Sequence, residues 1–179
     1  RYDDAGHIAS RVDAGGGETR YEYDALGRLL RTTDPRGGTI VHAYEGALGF
    51  PTRTTDANGH VTQRAYDGSG RLVSTTGPDG GVETETYDAL GRRTARRNAA
   101  GETTTWTYDA RGRMTKVTTA DGAATTIGYS AEGLRTSVTD ASGTTRFTYD
   151  GHQPPLAVTA PDGSFVRVGY DAAGLRTSV

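Results

Sequence analysis

Short runs of β-branched, aromatic and polar residues, broken at close intervals by Asp, Asn, Pro and Gly, make up the whole chain. TTTWTY (103–108), FVRVGY (165–170) and RLLRTT (28–33) are typical, and none shows a helical period. The alternation within them is strand-like. A Tyr closes each long run, and two residues before it, on the same face of a strand, stand Tyr21, His42, Arg64, Glu85, Trp106, Ile127, Phe147 and Val168. One residue before it, on the opposite face, stand Glu22, Ala43, Ala65, Thr86, Thr107, Gly128, Thr148 and Gly169, nearly all small or polar. The pattern predicts strands with one bulky face and one Thr/Gly/Ala face.

The turns between strands are equally regular. The closing Tyr falls at Tyr2, Tyr23, Tyr44, Tyr66, Tyr87, Tyr108, Tyr129, Tyr149 and Tyr170, in steps of 21, 21, 22, 21, 21, 21, 20 and 21 residues. Seven of these nine are followed by Asp, the exceptions being Tyr44-Glu45 and Tyr129-Ser130. Four residues after Tyr comes Gly6, Gly27, Gly70, Gly91, Gly112, Gly133 or Gly174. Half a period away lies a second turn of the same kind, as in Asp34-Pro-Arg-Gly37, Asp56-Ala-Asn-Gly59 and Asp140-Ala-Ser-Gly143. Asp at the first turn position accepts a backbone N–H, and Gly at the last takes positive φ. The expectation is an all-β, antiparallel meander reversing about every ten residues, two strands per unit, with the Tyr side chains in a ladder across the sheet.

Composition bounds the fold further. Only 34% of the 179 residues are hydrophobic, against roughly 45–50% apolar, Gly included, in ordinary globular chains. Net charge is −2, which supplies no field to gather nucleic acid or anionic lipid. There is no Cys, and no apolar run approaches the ~20 residues of a membrane helix, so neither disulfides nor membrane insertion by a helix is expected. Because sheet edges invite pairing, and the chain opens inside its own pattern with RYDDAGH, it reads as one continuous array of about eight to nine repeats, 1–179, without a separate domain boundary, cut from something longer.

The unit Tyr-Asp-x-x-Gly-Arg at a spacing near 21 residues resembles the YD repeat of Rhs proteins, of the C-type subunits of bacterial Tc toxins and of teneurins. The resemblance covers essentially the whole chain and implies a spiralling β-sheet forming part of a large hollow shell. In bacterial members of that family the shell encloses a toxic C-terminal domain, and in teneurins a similar shell belongs to an extracellular adhesion receptor. It therefore implies an exported bacterial protein, secreted or at the cell surface. Its partners would be neighbouring repeats and an enclosed C-terminal toxin domain, and it would need no cofactor. The family's releasing region, which resembles an aspartyl protease, has no counterpart here. Asp34-Pro35-Arg36-Gly37 only echoes its signature and sits at an ordinary turn position. Several units depart from the pattern. YEGALGFP (44–51) carries one extra residue and predicts a bulge or longer loop. YDGHQPP (149–155) loses Gly and Arg, and its Pro154 and Pro155 predict an interrupted pairing. His7, Leu134 and Leu175 stand where Arg is expected.

No catalytic constellation emerges. His7, His42, His60 and His152 are scattered without ligand spacing, and the Asp-rich turns lack the dense alternating oxygen ligands of a Ca²⁺ loop. GSGRLV (68–73) opens no helix and is no phosphate loop. Arg92, Arg93, Arg96 and Arg97, with Glu83 and Glu85 in the same unit, read as a charge-paired solvated patch whose side chains split between the two faces. Trp106, Tyr21 and Phe147 could stack on sugar rings or pack against the ladder Tyr. The preferred reading is a non-catalytic shell segment; the alternative is an adhesion or carbohydrate-binding module.

Overall fold

A computed structural model describes residues 1–46, 49–149, 155–170 and 176–178. All regular structure among them is β. The first eight strands are β1 (Ser10–Val12), β2 (Glu18–Tyr23), β3 (Leu29–Thr33), β4 (Thr39–Ala43), β5 (Arg53–Thr55), β6 (Val61–Tyr66), β7 (Leu72–Thr76) and β8 (Val82–Tyr87). There follow β9 (Arg93–Arg97), β10 (Thr103–Tyr108), β11 (Met114–Thr118), β12 (Ala124–Tyr129), β13 (Arg135–Asp140), β14 (Gly143–Thr148), β15 (Ala157–Thr159) and β16 (Phe165–Arg167). These sixteen form one antiparallel sheet in chain order, and β17 (Gly169–Tyr170) with β18 (Arg176–Ser178) forms a separate pair. The chain groups into two units, Arg1–Glu85 with Arg97–Gly101, and Thr86–Arg96 with Glu102–Val179.

Most of the described strands are joined to the next by a short loop that their turn residues set. In the turn after β2, the Gly27 N–H donates to the Asp24 carbonyl at 3.0 Å and the Asp24 N–H to the Arg28 carbonyl at 2.9 Å. The turn after β3 repeats this between Asp34, Gly37 and Gly38. Both ends of the hairpin array thus use one loop, a type I turn closed by a left-handed glycine. All residues with positive φ among those described are glycines. Gly112 is at φ +83 with only the Arg92 guanidinium near the place a Cβ would take, whereas Gly68 has ordinary φ and open space. Gly112→Ala is therefore expected to cost about 1–2 kcal/mol and to lower the thermal midpoint by about 2–8 °C, while Gly68→Ala leaves it unchanged within a degree or so. Differential scanning calorimetry of the two variants checks this.

One turn is tighter. Asp140 pairs directly with Gly143, so β13 and β14 are joined by Ala141 and Ser142 alone. This is the physical origin of the single 20-residue step, which the D-x-x-G spelling conceals. The opposite departure, the extra residue after Tyr44, falls between β4 and β5; residues 47–48 there, like 150–154 with Pro154, lie outside the described residues.

The sheet is a single layer. No hydrophobic side chain among the described residues is buried, and Ser10, at 7% exposure, is the one buried polar residue. Alternation is legible strand by strand: in β10, Thr103, Thr105 and Thr107 are exposed while Thr104, Trp106 and Tyr108 are half-buried. Four Tyr-ending strands, β2, β6, β10 and β12, meet the next through a register shift immediately before the Tyr, at Glu22/Tyr23, Ala65/Tyr66, Thr107/Tyr108 and Gly128/Tyr129. Thr107 faces Lys116 but Tyr108 faces Met114, so Thr115 is the extra residue of a bulge. The bulge lets Met114 and Val117, three positions apart, both oppose residues of the Tyr108–Trp106 face, which a regular two-residue period forbids.

Candidate functional site

The residues that do most on this sheet lie along the Tyr face, and the turn builds them. Within YDALGR (23–28), one carboxylate oxygen of Asp24 accepts the backbone N–H groups of Leu26 and Arg28, each at 2.9 Å. Its other oxygen accepts Nε of Arg28 at 2.7 Å. The same clamp forms at Asp67–Arg71 (2.7 Å), Asp88–Arg92 (2.6 Å) and Asp109–Arg113 (2.7 Å). These pairs are largely shielded: Asp24 and Arg28 keep 18% and 20% of their side-chain exposure. The donated N–H of Arg28, followed by the Arg28 side chain and the Leu26 N–H, holds the Asp24 carboxyl below its usual 3.8 against the opposing effect of desolvation. Asp67 and Asp109 are lowered in the same way, chiefly by the N–H of Arg71 and of Arg113.

Held by their Asp, three of these guanidinium groups reach forward to the next repeat. Arg28 lies over the Tyr44 ring at 4.5 Å, Arg92 over Tyr108 at 4.8 Å and Arg113 over Tyr129 at 4.5 Å. These are cation–π distances. The same arginines donate to a carbonyl of the following turn, Arg92 to Asp109 at 3.1 Å and Arg113 to Ser130 at 3.3 Å. Five Tyr hydroxyls reach back, to the carbonyl of Ile8 from Tyr23, of Leu29 from Tyr44, of Pro51 from Tyr66, of Arg93 from Tyr108 and of Met114 from Tyr129, at 2.8–3.3 Å and fifteen residues away in each case. Tyr149 makes the bond to Arg135 at 2.8 Å across fourteen residues, because its unit is one residue short. Thus the ladder does not stack Tyr on Tyr along these registers. In the registers of Arg28, Arg92 and Arg113 it alternates carboxylate, guanidinium and phenol, so that one turn is fastened to the next.

Two residues fill the guanidinium's place without being Arg. The His7 ring, bonded through Nδ1 to Asp3 at 3.1 Å, stacks on Tyr23 with centroids 4.8 Å apart. Phe50 stacks on Tyr66 at 5.4 Å. Sequence reading did not single out Phe50, because the insertion after Tyr44 displaces it by one position from the motif. The usable signal was its distance forward: Phe50 precedes Tyr66 by sixteen residues, as Arg28 precedes Tyr44 and Arg92 precedes Tyr108.

The motif glycines Gly6, Gly27, Gly70, Gly91, Gly112 and Gly133 all occupy positive φ, whereas Gly174 lies outside the described residues. Tyr2 stands at one end of the ladder with 72% exposure. Tyr87 ends β8 and Tyr170 ends β17. Of the stacking candidates, Trp106 lies under the guanidinium of Arg93 at 4.5 Å and Phe147 under that of Arg135 at 4.4 Å. Tyr21, half-buried on β2, pairs across to Thr32. Arg92 and Arg93 therefore serve one face, not two, because Arg92 belongs to the turn and only Arg93 to β9. Among the described residues no cluster of three or more His, Cys, Asp or Glu could hold a metal, and no helix is long and apolar enough to cross a membrane.

A repeating single-layer sheet, fastened along one face by a turn-borne Asp–Arg–Tyr chain, is a structural array. The chain belongs to the RHS Repeat family, whose pattern matches residues 2–39, 47–82, 87–124 and 129–153. No curated protein matches it in sequence. Among solved structures, a Photorhabdus luminescens Tc holotoxin pore superposes with a TM-score of 0.71 at 17% identity, over 96% of this chain and 11% of that one. Crystal structures of TcdB2-TccC3 and TcdB2-TccC3-TEV give 0.60 and 0.59 at 19% identity, over 98% of this chain and 13% and 12% of theirs. These likenesses establish the fold, and the chain spans only a small part of each.

Proposed function

We propose that this array is a wall segment of an Rhs-type shell enclosing a C-terminal toxin or effector domain, with no catalytic role of its own. The observation that carries the reading is the match of family and fold together, a repeat sheet of the kind found in Tc toxin structures. The ladder supplies a physical reason why such a sheet would serve as a wall. Without a packed core, turn-to-turn fastening must hold its shape, and nearest-neighbour interfaces add along an array. In this reading the work is steric: the sheet keeps the surroundings from the cargo, and the whole protein is exported or displayed at the surface of a bacterial cell. Size-exclusion chromatography of the full-length protein, with denaturing mass spectrometry of the same peak, tests it. The expected result is a released C-terminal fragment that still co-elutes with the large particle. A single intact chain with no enclosed fragment would overturn the reading and leave adhesion at the cell surface as its replacement.

A further inference from the structure

We propose that the hollow between the turn at 130–133 and Tyr149 is a receptor for an arginine side chain presented by a polypeptide segment from outside the repeat. The inference rests on the ladder's geometry and not on the enclosed-cargo reading. Among the described residues, a planar side chain sixteen residues before a ladder Tyr covers its ring at His7, Arg28, Phe50, Arg92 and Arg113. The register that ends at Tyr149, one residue short, has at the same place after its turn Leu134, fifteen residues before the Tyr and neither planar nor charged, and among the described residues no cation–π contact falls on Tyr149. A depression of about 580 Å³ opens there, lined by Ser130, Glu132, Leu134, Phe147 and Tyr149 among others. Its size falls within the usual range of ligand pockets, roughly 300–1,000 Å³.

The groups around the depression are those a guanidinium needs. The Tyr149 ring is held in place by its hydroxyl bond to the Arg135 carbonyl at 2.8 Å. Ser130 stands where other turns carry the clamping Asp, and its hydroxyl is turned to the Leu134 N–H at 3.3 Å. The carboxylate missing at 130 returns two residues later as Glu132, which bonding to Ser130 and the charge of Arg111 keep below its usual 4.5. The turn's carbonyls are taken from the preceding side, Ala131 by Arg111 and Ser130 by Arg113. What the register lacks is the forward-reaching cation that stacks on the next Tyr while bound to a carboxylate, and a guanidinium supplied from elsewhere completes both contacts at once.

Saturation-transfer difference NMR on the full protein, with Nα-acetyl-arginine N-methylamide as probe, tests the assignment. The arginine probe should bind about fivefold or more tightly than the neutral, isosteric citrulline analogue, and more tightly than the lysine analogue. Leu134→Arg places the protein's own guanidinium in the hollow and should abolish probe binding. Glu132→Gln should weaken it several-fold without touching any strand pairing. Circular dichroism confirms that both variants keep their sheet. No binding, equal binding of the citrulline or lysine analogue, or binding undiminished in both variants would overturn the proposal.

Discussion

Tyr108→Ala is expected to destabilise the protein by about 2–3 kcal/mol, near the lower end for truncating a large side chain, since Tyr108 is only half-buried. Two separate supports are lost. The hydroxyl bond to the Arg93 carbonyl at 2.8 Å disappears, and so does the ring under Arg92 at 4.8 Å, which leaves that guanidinium with Asp88 and the Asp109 carbonyl alone. Tyr108→Phe separates these. It keeps the ring and is expected to cost about 1 kcal/mol, the ordinary net value of one hydrogen bond. Thermal midpoints should fall by roughly 4–12 °C for alanine and 2–4 °C for phenylalanine. Because each unit contacts only its neighbours, the damage should be local. Hydrogen exchange should accelerate in β10, β11 and the 109–113 turn and stay unchanged in β3 and β4. Tyr2→Ala, at a ring that is 72% exposed, is the matched control and should cost almost nothing. An alanine variant at 108 no less stable than the parent would mean that the ladder is decoration and that strand pairing alone holds the sheet.

The fold was legible in the sequence because its signals are local and repeated. A left-handed Gly, an Asp that accepts N–H groups two and four residues on, and an alternating strand are each written within a few residues, and the repeat writes them again and again. The fastening was not legible, for a definite reason. Arg28 and Tyr44 belong to different units and meet only because the β2–β3 and β3–β4 hairpins fold them onto one edge. A reader of one unit sees Arg as a charge following a turn, which is why Arg92 and Arg93 looked like a solvated patch split between two faces. The bulge before Tyr108 is equally invisible, since it is a property of how β10 and β11 register and leaves no mark in composition. The departures are the instructive residues. His7 and Phe50 show that the place after the turn demands a flat side chain more than a charge, and Leu134 shows the one described register where neither is present.

Acid should loosen the whole array, and more steeply than any single substitution. The clamping carboxyls of Asp24, Asp56, Asp67 and Asp109 are held below their usual 3.8 first by the backbone N–H four residues on and then by the paired side chain. In Asp88 desolvation is the largest influence and pushes the other way, but the Arg92 N–H and guanidinium outweigh it and the net direction is again down. A carboxyl lowered in the folded state binds protons less readily there than in the unfolded chain. It therefore contributes stability that is fully present above about pH 5 and is lost as pH falls through the folded values, below 3.8. Protonation removes the acceptor for two N–H groups and the partner of the guanidinium together, so the ring beyond also loses the group positioned over it. His42, lowered from 6.5 by desolvation and then by Arg64, adds a small component of the same sign that begins nearer neutrality. The thermal midpoint is expected to fall slightly between pH 7 and pH 5 and sharply below about pH 4. A variant with Asp109→Asn should start lower at pH 7 and descend less steeply, since one of the titrating clamps is already gone. Calorimetric midpoints across this range decide it: a flat profile down to pH 3, or an Asn variant with an undiminished acid slope, would show that the turns hold by backbone geometry and that ionised Asp is dispensable.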